Sequence, residues 1–183
     1  MIFLFNYKEN ILKTYYVHTT IMSHFHETFS VWKLYAHLPR DTNWDMDSYK
    51  CIMTFDNIED IVAHLESLPN YLIRHCMLFL MRDDIDPIWE DPKNEKGGSF
   101  SYKVFNEKLP TIWRELCYNM VSENLSKDES ILSRINGISL SPKKSFSILK
   151  IWMSDCDFTD ENVFHLKSNE LSNKKVLFKP HHT

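Results

Sequence analysis

Few stretches of this 183-residue chain carry residues that could do chemistry, and the first is IDPIWEDPKNEKGG at positions 85–98. Trp89 stands directly before Glu90, and the flanking Pro87 and Pro92 keep both out of a regular helix. Gly97-Gly98 then supplies permissive backbone for a turn. The segment reads as a loop that presents an indole and a carboxylate side by side. A second tryptophan, Trp44, lies in PRDTNWDMD among Asp41, Asn43, Asp45 and Asp47, where no core stripe passes through it. Of the other three, Trp32 falls in an apolar strand and Trp113 in a helix, both read as core, while Trp152 follows Lys150 by two residues in FSILKIWM. The plainer reading has each loop tryptophan capping a sheet edge. Together, beside a loop carboxylate and a hairpin carrying Lys143, Lys144 and Lys150, they favour a stacking site. Charge divides the same way: residues 83–91 hold Asp83, Asp84, Asp86, Glu90 and Asp91 without a base, and 137–152 hold three lysines without an acid. Solvated loops would explain both runs. So would a bipolar ligand, cationic at one end and anionic at the other.

Other chemistries fit less well. Three glycines in the whole chain leave no phosphate-cradling loop or dinucleotide fingerprint, and neither GxSxG nor HExxH occurs. His24 and His26, or His181 and His182, are conceivable metal pairs, but near the chain ends they read as exposed or disordered. The acidic run 83–91 offers magnesium ligands for phosphoryl chemistry, a role its prolines and tryptophan suit poorly. Cys51, Cys76, Cys117 and Cys156 stand far apart with no CxxC and read as reduced, mostly buried thiols of a cytosolic protein. The apolar MIFLF ends at Asn6, too short for a signal segment or a membrane span. A hydrophobic content of 43% supports one substantial core and hence one domain. A net charge of −4 argues against coating nucleic acid through phosphates alone.

The elements that must position these residues follow from periodicity. Strands are expected at 30–38, 49–55, 76–81, 99–105, 137–142, 146–153 and 174–180, the fifth and sixth joined as a hairpin by a lysine-bearing turn. In 146–153, Phe146, Ile148, Lys150 and Trp152 share one face and Leu149, Ile151 and Met153 the other. A capping box from Asp56 to Glu59 opens a helix through about Leu68, with Ile58, Ile61, Val62 and Leu65 on one face. Pro110 begins a second helix, and Thr159 caps a third over 159–171. The class is α+β: a curved, largely antiparallel sheet backed by three helices, without repeat or linker.

In order and spacing, VWKLYAH, NWD, FDNIEDIVAHL, IDPIWEDPKNEKGG and ILKIW resemble eukaryotic translation initiation factor 4E, the mRNA cap-binding family, from about His26 to Phe178. The resemblance implies a ligand on the concave face of the sheet with helices on the convex face. That ligand is 7-methylguanosine joined through a triphosphate to RNA. N7 methylation makes the base a cation, so a sandwich between Trp44 and Trp89 gains cation–π energy of roughly 2 kcal/mol or more per desolvated contact. By the same resemblance Glu90 accepts from guanine N1–H and the 2-amino group, the Trp89 backbone N–H donates to O6, and Trp152 packs on the methyl group. The implied protein is no enzyme, needs no cofactor or metal, touches no membrane and works in the cytoplasm. Residues 26–183 would form the cap-binding domain and 1–25 an extension of unassigned role.

Departures from the family pattern shape the remaining expectations. Three positions that usually carry Arg or Lys around the phosphates hold Lys143, Ser99 and Ile148, so Lys144 and Lys150 are expected to take over part of that contact. The C-terminal loop that holds the next nucleotide in the family is expected to be missing, the sequence ending in KPHHT. On the convex side His26-Glu27-Thr28 stands for a His-Pro-Leu segment, Val62 for a tryptophan and Arg114 for an aliphatic residue, while Ile58, Tyr118, Val121 and Glu123 stay compatible. A scaffold of the initiation factor 4G type, or a divergent equivalent, would dock there. Two roles compete: an initiation factor with an altered scaffold, or a cap-binding competitor that represses translation or sequesters messages. A magnesium-dependent cap-processing enzyme is the third reading.

Overall fold

The computed structural model describes residues 30–166, 171 and 176–182. His26, Glu27, Thr28 and the expected 1–25 extension lie outside the described residues. Strands β1 (Trp32–His37), β2 (Tyr49–Phe55), β3 (Met77–Arg82), β4 (Gly98–Phe105), β5 (Ile135–Pro142), β6 (Phe146–Met153) and β7 (Leu177–Pro180) form one curved sheet. Its order is β2-β1-β3-β5-β6-β4-β7, with every pairing antiparallel. Helices α1 (Ile58–Ser67), α2 (Asn70–His75), α3 (Leu109–Val121) and α4 (Glu129–Leu132) accompany it. Among the described residues no helix is long and apolar enough to cross a membrane.

Alternation along β6 decides which residues meet the helices. Leu149, Ile151 and Met153 are fully buried in the main core with Ile61, Leu65, Ile112, Trp113 and Leu116 from α1 and α3. Burial on this scale is worth about 1.5–3 kcal/mol per large side chain. The opposite, concave face has a floor of its own, where Tyr35, Phe79, Met81, Ile85 and Trp152 pack together with Met46, Tyr49 and Met77 against them. Register assembles that floor into rows, because residues paired across strands share a face. One row runs Tyr35, Phe79, Ser139, Lys150, Ser101 and Leu177; the next runs Met81, Gly137, Trp152, Ser99 and Lys179.

The structure corrects several local expectations. The cap of α1 is Asn57, whose side chain accepts from the Asp60 amide at 2.8 Å, so the box lies one residue beyond Asp56–Glu59. Helix α2 follows Pro69 after a two-residue break, and six residues are too few for a periodic signal. Within the described part of 159–171 the structure has a 3₁₀ turn, Glu161–Val163, capped by Asp160 instead of Thr159, and a helical residue at Leu171; residues 167–170 lie outside the described residues. Gly97 and Gly98 do not adopt positive φ. They serve close approach: a Cβ on Gly97 would sit 1.8 Å from the Met153 carbonyl oxygen, and one on Gly98 2.5 Å from the Phe178 ring. Cys76 and Cys117 are buried as expected, but Cys51 is exposed and Cys156 half-buried.

Candidate functional site

The Trp89–Glu90 loop between β3 and β4 is held from within by one buried amide. Asn94, with no exposure, donates through Nδ2 to the carbonyls of Asp86 and Ile88, both at 2.8 Å. Its Oδ1 accepts from Asn136 Nδ2 at 2.9 Å, and Asn136 also donates to the Lys93 carbonyl at 2.8 Å. Asn136 reaches the loop from a register shift in β5, where Ile135 faces Met153 and Gly137 faces Trp152, leaving the intervening residue to turn aside. Asp91 closes the loop by accepting from the Asp86 and Lys93 amides at 2.9 and 2.7 Å. Other acids of the run are also engaged: Asp83 pairs with Lys33 at 2.9 Å and Asp84 with Lys93. Pinned in this way, the loop leaves Trp89 45% exposed and Glu90 exposed beside it.

Trp44 is presented by a second shaped loop. Asp41 accepts from the Asn43 amide at 3.0 Å, and Asn43 from the Asp45 amide at 2.9 Å, so the polar neighbours form side-chain turns around the indole. Trp44 is 56% exposed and stacks on His37, with ring centroids 4.4 Å apart and planes within 3°. His37 Nε2–H donates to the Asn43 carbonyl at 2.8 Å, which locks that ring.

Between the two exposed indoles the concave face carries a continuous aromatic wall. From Trp44 it passes through His37, Tyr49, Phe79, Trp152 and His181 to Trp89, with successive centroids 4.4, 5.1, 5.3, 6.2, 4.9 and 6.1 Å apart. Trp152 is buried and its indole N–H donates to Ser139 Oγ at 2.9 Å. Burial, and then the charge of Glu90, push the Tyr49 hydroxyl up to about 12, so Glu90 acts on the Trp44 end of the wall while standing next to Trp89.

The other edge is cationic. Lys150 Nζ lies 5.4 Å from the Trp89 ring centroid. Burial, followed by the charges of Lys179 and Lys143, holds its ammonium below the ordinary lysine value. Lys179 is the cross-strand partner of Ser99, one of the positions where a base was lacking. Lys144 is exposed in the β5–β6 turn, and Ile148 is half-buried on β6. Thus Trp44, Trp89, Glu90, Trp152 and Lys150 share the concave face.

Three contributors were missed from sequence. Asn94 carries no motif beyond its place in a loop, and Lys179 is visible only once β7 is paired with β4. His181 was read as an exposed terminal residue, yet it is 9% exposed, between Trp89 and Trp152, with Nδ1 donating to the Asn94 carbonyl at 2.8 Å.

The convex residues are placed differently. Ile58 and Val62 are half-buried on α1, and Tyr118 on α3 donates its hydroxyl to Glu66 at 2.9 Å. Arg114 bonds the carbonyls of Leu65 and Leu68 at 2.7 Å each, along with Asn70 Oδ1 and the Pro110 carbonyl, and so ties α3 to the end of α1. Val121 is only 7% exposed and packs in the core, while Glu123 receives a two-pronged pair from Arg82 at 2.9 and 3.0 Å.

The described residues form a helix-backed antiparallel sheet whose concave face carries aromatic rings flanked by an acid and by lysines. The model of the family described as Eukaryotic initiation factor 4E matches residues 6–182, and the chain belongs to that family. Eukaryotic translation initiation factor 4E-1 of Caenorhabditis elegans is 28% identical over 135 residues, covering 70% of this chain and 62% of the relative. Eukaryotic translation initiation factor 4E of Candida albicans is 29% identical over 143 residues, covering 72% and 66%. The chain thus spans less than two thirds of these curated relatives. A schistosome eIF4E complexed with m7GpppG and 4E-BP superposes with a TM-score of 0.70 at 22% identity, over 82% of this chain and 86% of that one, a likeness of fold.

Proposed function

We propose that this chain binds the 7-methylguanosine cap of mRNA on its concave face and acts in translation initiation. The observation that carries the reading is the pair of half-exposed indoles, Trp44 and Trp89, at the two ends of one aromatic wall, with Glu90 beside one of them and lysines along the edge. In this reading the methylated base stacks against the indoles, Glu90 accepts from N1–H and the 2-amino group, and the Trp89 N–H donates to O6. Trp152 lies under the N7-methyl group. Lys150, Lys143, Lys144 and Lys179 attract the triphosphate. A cytoplasmic location follows from this role, and chemistry on the ligand is not part of it: Asp83, Asp84 and Asp91 are already engaged by Lys33, Lys93 and backbone amides.

Titration of intrinsic tryptophan fluorescence with 7-methyl-GTP and with GTP tests the reading. The methylated ligand should quench and bind at least about tenfold more tightly, since a desolvated cation–π contact is worth about 2 kcal/mol. Trp89→Ala should abolish the preference. Equal affinity for both nucleotides would overturn the proposal, and capped RNA consumed in the presence of magnesium would replace it with an enzyme.

The convex face supports a second question, about partners. Solved neighbours include complexes of worm eIF4E-3 with the 4E-binding protein Mextli, so a helical peptide on α1 and α3 is a natural candidate here. In this chain Val62 offers little area, Arg114 is committed to α1, and Val121 is buried. These features favour a cap-binding competitor, or an initiation factor with a divergent scaffold, over docking of the usual one. No binding of a scaffold peptide at micromolar concentration would support the competitor.

A further inference from the structure

Beyond Trp152 and Lys150 the concave face continues toward the β5–β6 turn, and its character changes. Register adds two further rows there: Ser141, Ile148 and Lys103 across β5, β6 and β4, then Phe146 beside Phe105. Lys103 is exposed and holds its ammonium 4.4 Å from the Phe146 ring centroid. Phe146 is half-buried, and Phe105 remains 56% exposed although it pairs with Phe146 across the strands. Asn106 donates through Nδ2 to the Lys143 carbonyl at 3.3 Å and accepts from Ser147 Oγ at 2.9 Å. These bonds set the end of β4 against the turn that carries Lys143 and Lys144, both exposed. Strands β4, β5, β6 and β7 contain no Asp or Glu, in a chain whose net charge is −4.

We propose that the RNA nucleotides following the cap run along β6 and β4 from Lys150 toward the β5–β6 turn, with a base stacked on the Phe105–Phe146 pair and Lys103 at the backbone. The inference rests on the cap-binding reading and adds to it the path of the message. Continuity supports the start of that path, because Lys150 stands 5.4 Å from the Trp89 ring centroid and shares its strand face with Phe146. Charge sets the direction. The acids at 83–91 lie in the loop before Gly98, at the opposite end of β4 from Phe105, so a polyanion leaving Lys150 is repelled one way and meets acid-free strands with lysines the other way. Length fits as well: from Trp152 to Phe146 the strand covers about 20 Å at its ordinary rise, room for a triphosphate and the nucleotides next to it. Exposed rings interleaved with cations are what single-stranded nucleic acid needs, since every base offers a face to stack and every nucleotide a charge to neutralise. A cross-strand aromatic pair also stabilises a sheet, but that role leaves no reason for one ring to stay more than half exposed beside a cation.

The test uses the full chain and competition against a fluorescent 7-methyl-GTP, with three ligands at one salt concentration: 7-methyl-GTP, a capped dinucleotide and a capped hexanucleotide. The hexanucleotide should bind about tenfold more tightly than the dinucleotide. The double variant Phe105→Ala, Lys103→Ala should lose that gain and keep its affinity for 7-methyl-GTP. Phe105→Tyr, which preserves the ring, should keep the gain. Lys103→Ala alone should lower the slope of log affinity against log salt by about 0.7 for the hexanucleotide and leave it unchanged for 7-methyl-GTP. Equal affinity for dinucleotide and hexanucleotide would overturn the path and leave the exposed ring to a protein partner. A gain retained in the double variant would overturn it too, by sending the RNA elsewhere. Failure to bind 7-methyl-GTP at all would refute the cap reading, and the path with it.

Discussion

Replacing Asn94 with alanine should loosen the site while touching no ligand. The side chain is fully buried and makes three hydrogen bonds, two given to the Asp86 and Ile88 carbonyls and one received from Asn136. At about 1 kcal/mol each, with the abandoned partners left inside the protein, the loss comes to about 3 kcal/mol. Total stability of a domain is roughly 5–15 kcal/mol, so Asn94→Ala should still fold, with a Tm lowered by about 6–12 °C. All three partners lie in or beside the Trp89 loop, so the cost falls first on local opening. Apparent cap affinity scales with the fraction of molecules whose loop is closed, and should drop by about tenfold or more. Asn94→Asp separates polar bracing from filled volume. A carboxylate there would face two carbonyl oxygens at about the same distance, so it should be at least as damaging as alanine. Thermal unfolding and fluorescence quenching measure both effects. A Tm change under about 2 °C with unchanged affinity, or an aspartate milder than alanine, would refute the hub.

Three further outcomes are expected. Glu90→Gln keeps the volume and one acceptor but removes the charge, so affinity for 7-methyl-GTP should fall about tenfold with thermal stability unchanged; equal affinity would take Glu90 off the guanine edge. Lys179→Ala should weaken binding of a capped oligonucleotide and lower the slope of log affinity against log salt by about 0.7, and an unchanged slope would exclude it from phosphate contact. Arg114→Ala should cost about 2 kcal/mol in urea unfolding, because the Leu65 and Leu68 carbonyls lose their donor, and should leave cap affinity intact. Weaker cap binding in that variant would indicate coupling between the two faces.

How much of the site was legible depended on how locally each part is encoded. Trp89 and Glu90 share a loop bounded by prolines, and the two-residue period of β6 puts Lys150 and Trp152 on one face. The sheet was legible for the same reason, since most strands announce themselves by alternation, whereas six-residue α2 and the 3₁₀ turn at Glu161–Val163 are too short to carry a helical period. His181 is a different case. Its neighbour across the hydrogen bond, Asn94, is 87 residues away, and two histidines beside a chain end have no pattern that distinguishes burial from exposure. Lys179 acquires a direction only from the pairing of β7 with β4. The base that Ser99 lacks therefore stands directly across the strand pair, on Lys179, and Trp152 on the other side of Ser99 keeps that lysine in line with the aromatic wall. In the proposed cap-binding reading, Lys179 on the edge strand would offer the phosphates a cation that Ser99 does not, from an exposed position that costs little desolvation.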